Sequence, residues 1–261
     1  MSIDGIDFGR LYREHMARAG RREKTADEWD TRAPTMSRGV FGGSYVEEFV
    51  KRLDLTGCET LLDVGCGPGT IALMVAPRLA HVYGLDFSRG MIDAFNDNAR
   101  ARRLTNATAM LRAWQDPWDD VPVCDVAVAS RSTQVADLEA ALLKLHAHAR
   151  RRVYLTHIVG GRVLDASVCE ALGRGDEPLP DYLYVLNILH RHGVHPRLDY
   201  LDGENRLRNC ASADDCVRRV EWSLGELTTE ERVRLRRYYE EHGDRVGTEP
   251  RRWALIWWDT I

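Results

Sequence analysis

The sequence predicts an α/β domain with a doubly wound parallel sheet and helices on both faces. Two observations carry this prediction. From about residue 60 to residue 159, short apolar runs alternate with amphipathic stretches of roughly 10–15 residues, a pattern typical of a parallel sheet. The first apolar run also leads directly into a glycine-rich turn, Gly65 to Gly69. At 261 residues, the chain is long enough to bury a substantial core.

The alternating region predicts five strands: Thr60–Val64, His81–Asp86, Ala107–Leu111, Val123–Ala129 and Val153–Val159. The helices between them are Ile71–Leu79, Gly90–Arg103 and Val135–Ala149. Ser88 precedes the second of these helices and is a suitable N-cap. The fourth and fifth strands are largely apolar, as expected for parallel strands that are covered on both faces.

The regions on either side of this core have a different pattern. Residues 1–57 form a mixed-charge, helical N-terminal segment, with Ile6, Leu11 and Met16 on one helix face and a second helix over Val40–Leu53. Between these helices, Pro34 and Gly39 predict a break. Residues 58–261 form the main domain, with an insertion at residues 160–180 after the fifth strand. The insertion holds one short helix, Ala166–Leu172. After it, the pattern predicts helix Tyr182–His192, strand Val194–Leu201, helices Ala213–Val220 and Thr228–Glu240, and strand Trp253–Trp257.

Composition limits the classes of function. The net charge is −4, so the whole chain has no strong attraction to nucleic acid or to an anionic membrane. No apolar stretch approaches the ~20 residues that span a bilayer, and the charged N-terminus does not resemble a secretory signal. The six cysteines form no C-x-x-C pair or regular framework, which favours a reducing, cytoplasmic location.

The glycine-rich turn lies in the sequence LLDVGCGPGT, residues 61–70, where glycines occupy alternate positions. A strand followed by such a turn and a helix N-terminus can bring backbone N–H groups close to a nucleotide. The second predicted strand ends at Asp86, 21 residues after Gly65, where a carboxylate can accept both ribose hydroxyls. The dinucleotide fingerprint requires a third glycine where this chain has Thr70. Asp63 would repel a pyrophosphate and suits a ligand with an ammonium group.

Together, LLDVGCGPGT and VYGLDFSRGMI resemble the first two motifs of class I S-adenosylmethionine-dependent methyltransferases. The resemblance extends over about residues 58–160. It implies a Rossmann-like sheet whose last strand, in RRWALIWWDT, runs antiparallel beside the sixth. It also implies S-adenosylmethionine as cofactor, S-adenosylhomocysteine as product, and an N-terminal segment that folds over the cofactor as a lid.

The resemblance assigns cofactor roles to residues around the turn. The three glycines would approach the methionine part and the sugar, Asp63 would support the methionyl ammonium, and Asp86 would bind the ribose. Phe87 and Met91 would pack on the adenine face, or else belong to the ordinary helix–sheet core. The glycines concerned are Gly65, Gly67 and Gly69.

The ends of the third, fourth and fifth strands supply further candidates. The usual acid after the third strand is missing, and Trp114 would stack on adenine while Asp116 reaches its amino group; both are alternatively surface turn residues. After the fourth strand, Ser130 would contact the cofactor. Arg131 would bind an acidic or polar substrate, or is simply a charge at a helix entry. His157 is the candidate general base, with a structural, hydrogen-bonded histidine as the alternative.

Two remaining patterns concern the lid and metals. Trp29 and Arg32 would close over the cofactor, with Arg32 near the methionyl carboxylate; packing against the sheet edge is the alternative. His190, His192 and His195 are interrupted by Gly193 and Pro196, with no acid or cysteine nearby to complete a ligand set. No metal site is therefore predicted.

The sequence thus predicts methyl transfer from S-adenosylmethionine to a small-molecule acceptor, without nucleic-acid or membrane partners. The sequence has no basic, aromatic-rich stretch and no N-P-P-Y-like motif after the fourth strand. Both absences disfavour a nucleic-acid substrate. One alternative is a non-catalytic S-adenosylmethionine-binding or regulatory protein. A second is an NAD-dependent oxidoreductase, which Thr70 and Asp63 disfavour. The acceptor and the oligomeric state stay open.

Overall fold

The computed structural model describes residues 3–20, 22–37, 41–174 and 177–260. Within these residues, a seven-stranded sheet has the order β3-β2-β1-β4-β5-β7-β6. The strands are β1 (Thr60–Val64), β2 (His81–Asp86), β3 (Ala107–Leu111), β4 (Cys124–Ala129), β5 (Ala149–Ile158), β6 (Arg197–Gly203) and β7 (Arg251–Asp259). The first five strands are parallel, and β7 runs antiparallel between β5 and β6. The predicted fold class and the antiparallel last strand are therefore confirmed.

The helices form a layer on each face of the sheet. They are α1 (Phe8–Arg18), α2 (Ala26–Ser37), α3 (Ser44–Lys51), α4 (Ala72–Val75), α5 (Arg89–Ala101), α6 (Leu138–Ala147), α7 (Ala166–Leu172), α8 (Tyr182–Arg191), α9 (Ala213–Leu224) and α10 (Thr229–His242). One core packs α1, α6 and α8 against the sheet, and the other packs α3, α4 and α5. Since Tyr12 of α1 is fully buried in the first core, α1 is an integral part of the domain.

A third, smaller core holds α7, α9 and α10 together, and we call these three helices the cap. Two helices of the cap, α9 and α10, connect β6, which ends at Gly203, to β7, which begins at Arg251, whereas α7 follows β5. Because β6 is antiparallel to β7 and therefore parallel to β5, the chain enters and leaves the cap at the carboxyl edge of the parallel strands. Ligands of doubly wound sheets bind at this edge.

Most predicted boundaries differ from the observed ones by a few residues. The helix predicted over Ile71–Leu79 is α4 followed by a short 3₁₀ turn, Ala76–Arg78, because Pro77 lacks the N–H that would continue it. Strand β5 begins earlier than predicted, because Ala149 already pairs with Cys124 of β4, and the charged Arg152 is held by Asp54 and Asp259. Strand β6 begins after Pro196 rather than at residue 194.

The predicted break at Pro34 is wrong, because α2 runs through it. A proline inside a helix removes one backbone hydrogen bond, but the packing of α2 against α5 offsets that loss. The second predicted breaker, Gly39, and the predicted start of the next helix at Val40 lie outside the described residues. The helix itself is α3, whose Tyr45, Val46 and Phe49 are buried as its periodicity predicted.

Candidate active site

The three glycines after β1 have different surroundings, although each has a positive φ: 71° at Gly65, 54° at Gly67 and 90° at Gly69. A Cβ atom on Gly65 would lie 2.3 Å from Cβ of Ser132, and one on Gly69 would lie 2.5 Å from Cδ1 of Leu73. A Cβ atom on Gly67 would have no neighbour within 4 Å. Packing therefore requires the outer two glycines, whereas Gly67 presents bare backbone to open space.

Asp86 holds this turn from the end of β2. Its side chain is only 8% exposed, and its two oxygens accept hydrogen bonds from the N–H groups of Gly67 and Ser88, both at 2.9 Å. Burial raises the pKa of this carboxyl, and the two N–H groups oppose that shift. Each carboxylate oxygen can accept a further hydrogen bond. The geometry therefore fits a ligand with two adjacent hydroxyls beside Gly67.

Asp63 lies beneath the turn and is 1% exposed. Its Oδ2 accepts a hydrogen bond from the N–H of Ala72, the first residue of α4, at 3.1 Å. Burial raises the pKa of Asp63 to about 7, and the neighbouring charge of Asp86 adds to the shift. A bound cation would stabilise the charged form. The protonation of Asp63, the acid that the sequence predicts beside an ammonium group, would therefore respond to the binding of that group.

The candidate adenine contacts lie in unlike environments. Met91, in the first turn of α5, is 2% exposed, while the Phe87 ring just before that helix is 40% exposed. The Trp114 indole N–H donates to the Ser132 carbonyl at 3.1 Å, and the ring lies 5.6 Å from that of Trp118. Asp116 accepts from the N–H of Ala113 at 2.8 Å and so closes its own turn. Their adenine roles stay predictions.

The segment after β4 packs against both the glycine turn and β5. The Ser132 hydroxyl donates to the Val64 carbonyl at 2.6 Å. The N–H of Arg131, a residue with a φ of 57°, donates to Oγ1 of Thr156 at 2.9 Å. Tyr45 joins this network, since its hydroxyl lies 2.9 Å from Oγ of Ser130 and 2.7 Å from Oγ1 of Thr156. The sequence offered no sign of Tyr45 and Thr156 here, because they lie far from Ser130 along the chain.

His157 is fully buried on β5. Its Nδ1 lies 2.8 Å from Oγ1 of Thr133, and its Nε2 lies 3.3 Å from the carbonyl oxygen of Pro180. Both contacts tie β5 to neighbouring segments, including the end of the insertion at residues 160–180. This environment favours the structural alternative, and the role of general base stays a prediction.

The predicted lid residues in α2 face the cap. The Trp29 ring lies edge-on to that of Trp222 in α9, with centroids 5.3 Å apart. The Arg32 guanidinium lies 4.6 Å from the centroid of the same Trp222 ring. The predicted contact of Arg32 with a methionyl carboxylate stays a prediction. Helix α2 therefore packs against the cap through both predicted lid residues.

Asp30 of α2 is a site residue that the sequence did not reveal. Its Oδ1 accepts from the Ser88 hydroxyl at 2.5 Å and from the N–H of Gly90 at 2.8 Å, at the start of α5. These bonds lower the pKa of Asp30. Ser88 also donates its N–H to Asp86, the residue predicted to bind the ribose. A single residue, Ser88, therefore joins α2 to Asp86. Nothing in the local sequence distinguishes Asp30 from the other acids of α2.

The described residues include neither a cluster of metal ligands nor a helix that could span a membrane. Across residues 3–20, 22–37, 41–174 and 177–260, no three His, Cys, Asp or Glu side chains are grouped to hold a metal ion. The His190 and His195 rings lie 5.7 Å apart without a third such ligand among those residues. No described helix is both long enough and apolar enough to cross a bilayer.

Sequence comparison identifies relatives over the whole chain and over its core. Residues 61–152 match the family model described as a methyltransferase domain. An uncharacterized protein of Haemophilus influenzae is 36% identical over 264 residues, covering 99% of this chain and 98% of that protein. An uncharacterized RNA methyltransferase of Listeria innocua is 37% identical over 62 residues, which are 24% of this chain and only 14% of that protein.

Solved structures share the fold at low sequence identity. A candidate methyltransferase of Bacillus halodurans C-125 superposes with a TM-score of 0.59 and 15% identity, covering 84% of this chain and 99% of that one. Coclaurine N-methyltransferase, bound to N-methylheliamine and S-adenosylhomocysteine, has a TM-score of 0.51 and 15% identity, covering 98% and 96%. The [4+2]-cyclase SpnF has a TM-score of 0.58 and 17% identity, covering 92% and 98%. Likenesses this distant establish the fold alone.

Proposed function

We propose that this chain, whose residues 61–152 match a methyltransferase domain, is a class I S-adenosylmethionine-dependent methyltransferase and that its methyl acceptor is a small molecule. The observation that carries the proposal is the shape of the carboxyl edge of the sheet. There, Asp30 of α2 accepts a hydrogen bond from Ser88, which follows β2, and Trp29 of the same helix packs on Trp222 of the cap. Helices arranged in this way suit an enclosed acceptor rather than a long polymer.

The cofactor supplies a methyl group on a positively charged sulfur, which becomes the neutral sulfide of S-adenosylhomocysteine when the methyl leaves. The residues around the crevice fit this molecule. Gly67 offers bare backbone, Asp86 offers carboxylate oxygens for the ribose, and the buried Asp63 is poised for an ammonium group. Such a reaction depends mainly on positioning and on the exclusion of water. Phe87, Met91 and Trp114 are our candidates for the adenine face.

Charge and cysteine usage support the finer parts of this proposal. The net charge of −4 gives no general attraction to nucleic acid, and the match to the Listeria RNA methyltransferase covers only 14% of that protein. No disulfide joins the six cysteines, all of which lie among the described residues, and this supports a cytoplasmic location.

Calorimetric titration tests the cofactor assignment against the two alternatives. We expect S-adenosylhomocysteine to bind and NAD not to bind. At 100 times its dissociation constant, a ligand stabilises a fold by about 2.7 kcal/mol, so thermal unfolding provides an independent check. Binding of NAD without S-adenosylhomocysteine would contradict the assignment.

Transfer of labelled methyl from S-adenosylmethionine to a panel of small amines, phenols and carboxylates then tests activity and the acceptor class. Appearance of label in one such compound supports the proposal. Label found only in tRNA or ribosomal RNA supplied as a competitor would replace the small-molecule acceptor with a nucleic acid. Cofactor binding with no transfer to any of these would favour the regulatory alternative.

A further inference from the structure

We propose that the guanidinium of Arg131 binds an anionic group, a carboxylate or a phosphate, on the methyl acceptor; this inference rests on the proposed function. Arg131 is the second residue after β4, whose neighbour in the sheet is β1. The chain order of the sheet reverses between these two strands, and such a switch point opens the ligand crevice of a doubly wound sheet. Arg131 and the glycine turn therefore lie on opposite sides of that crevice.

The position of Arg131 is fixed by its neighbours rather than by a carboxylate. Its backbone is bound to Thr156, and its guanidinium lies 4.3 Å from the centroid of the Tyr45 ring. The Tyr45 hydroxyl is in turn held by Ser130 and Thr156. Stacking on a ring leaves the edge of a guanidinium, where its N–H groups lie, available to a planar anion.

No described residue provides an anionic partner for this cation. Most arginines with a defined position form an ion pair, as Arg152 does with Asp54 and Asp259. Arg131 is exposed, and within the described ranges no carboxylate oxygen lies within 4.0 Å of its guanidinium nitrogens. None of its five N–H donors has a hydrogen-bond partner in the part of the chain that the structure describes, so they are available to a ligand.

Electrostatics then indicate the sign of that ligand. The crevice must accommodate a cofactor with a positive sulfur close to the acceptor. An unpaired guanidinium beside a second positive charge is unfavourable, because the two charges repel each other. An acceptor with a negative group removes this repulsion and gains charge-assisted hydrogen bonds. A neutral or cationic acceptor would leave two positive groups together.

The test uses protein saturated with S-adenosylhomocysteine and three probes titrated by calorimetry at constant ionic strength: benzoate, phenyl phosphate and the neutral benzamide. We expect at least one anion to bind about tenfold more tightly than benzamide. In Arg131→Gln, the preference for the anion should fall by about tenfold or more. Arg131→Lys keeps the positive charge but not the paired N–H donors of the guanidinium, so it should lose part of the preference. A preference for benzoate indicates a carboxylate, and one for phenyl phosphate indicates a phosphate.

Arg103→Gln is the matched control. Arg103 is exposed, has nearly the same backbone conformation with a φ of 56°, and lies beyond the far end of α5. It should bind all three probes as the wild type does. Equal anion binding by wild type and Arg131→Gln, or no anion preference in the wild type, would overturn the inference. Binding of S-adenosylhomocysteine, measured first in each variant, reports folding and separates this outcome from a failure of the proposed function.

Discussion

The glycine turn and the cap lie at the same edge of the sheet but are held together in different ways. In the turn, residues close in sequence satisfy one another, as Asp63 does with Ala72 and Asp86 with Gly67. The cap has its own core, and it joins α2 through the Trp29–Trp222 contact between residues far apart in the chain. The comparison indicates that the turn we assign to the cofactor is specified mainly within residues 63–86, whereas the cap we assign to the acceptor is joined to α2 by long-range pairing.

The sharpest test of the local side is Asp86→Ala. We expect cofactor affinity to fall at least about tenfold, because each charge-assisted hydrogen bond to the ribose is worth roughly 1.5–3 kcal/mol. Calorimetry with S-adenosylhomocysteine measures the loss. Asp93→Ala, which removes an exposed acid paired with Arg89 on α5, is the matched control and should bind normally. Equal affinities for the two variants would mean that Asp86 does not contact the ribose.

The two glycines at the start of the turn should respond differently to the same substitution. Gly65→Ala places a methyl group against Ser132 at a positive φ, and we expect a destabilisation of about 2–4 kcal/mol. Gly67→Ala should cost only about 1–2 kcal/mol, since its methyl meets no protein atom. Its methyl group would instead occupy the space that we assign to the cofactor, and affinity should fall about tenfold.

Urea unfolding and calorimetry on the same samples separate these two effects. If Gly67→Ala binds S-adenosylhomocysteine as the wild type does, the open space beside Gly67 is not the cofactor site. If Gly65→Ala is as stable as the wild type, the Ser132 side chain can move aside despite its hydrogen bond to the Val64 carbonyl.

The same contrast explains what the sequence could and could not reveal. The alternation of apolar strands and helices predicted the sheet, and the spacing of Asp63, the glycines and Asp86 predicted their convergence. The helices of the cap were predicted, but their common core, the continuous helix α2 and the role of Asp30 were missed, because each depends on tertiary contacts. The proline in α2 is the clearest case: the local rule predicted a break, and packing on α5 kept the helix intact.

Asp63 gives the local side a dependence on pH. Its ordinary pKa is 3.8 and burial raises it to about 7, so the folded protein binds this proton more tightly than the unfolded chain does. The contribution of Asp63 to the free energy of unfolding therefore decreases as pH rises from about 4 to 7, and then levels off. An ammonium ligand favours the charged carboxylate, so affinity for S-adenosylhomocysteine should increase about tenfold between pH 6 and pH 8.

Calorimetry across that pH range, with Asp63→Asn as the control, measures this effect. The variant cannot titrate, so its affinity should be nearly independent of pH over the same interval. A wild-type affinity that is flat, or that weakens as pH rises, would separate Asp63 from the ammonium group.

The smallest expected effect tests whether the two sides are coupled. Asp30 accepts hydrogen bonds from Ser88 and Gly90, and Ser88 donates its N–H to Asp86. A cofactor bound by Asp86 should therefore also reduce the local unfolding of α2. We expect amide exchange in residues 25–37 to slow by a few-fold when S-adenosylhomocysteine is added, as for a lid that closes on its ligand. Asp30→Ala should reduce that slowing, because it cuts the connection while leaving Trp29 against Trp222. Asp27→Ala, on the same helix but without a described bond to α5, should retain it. Equal exchange with and without ligand in the wild type would assign α2 a purely structural role, and the acceptor site would then be closed by the cap alone.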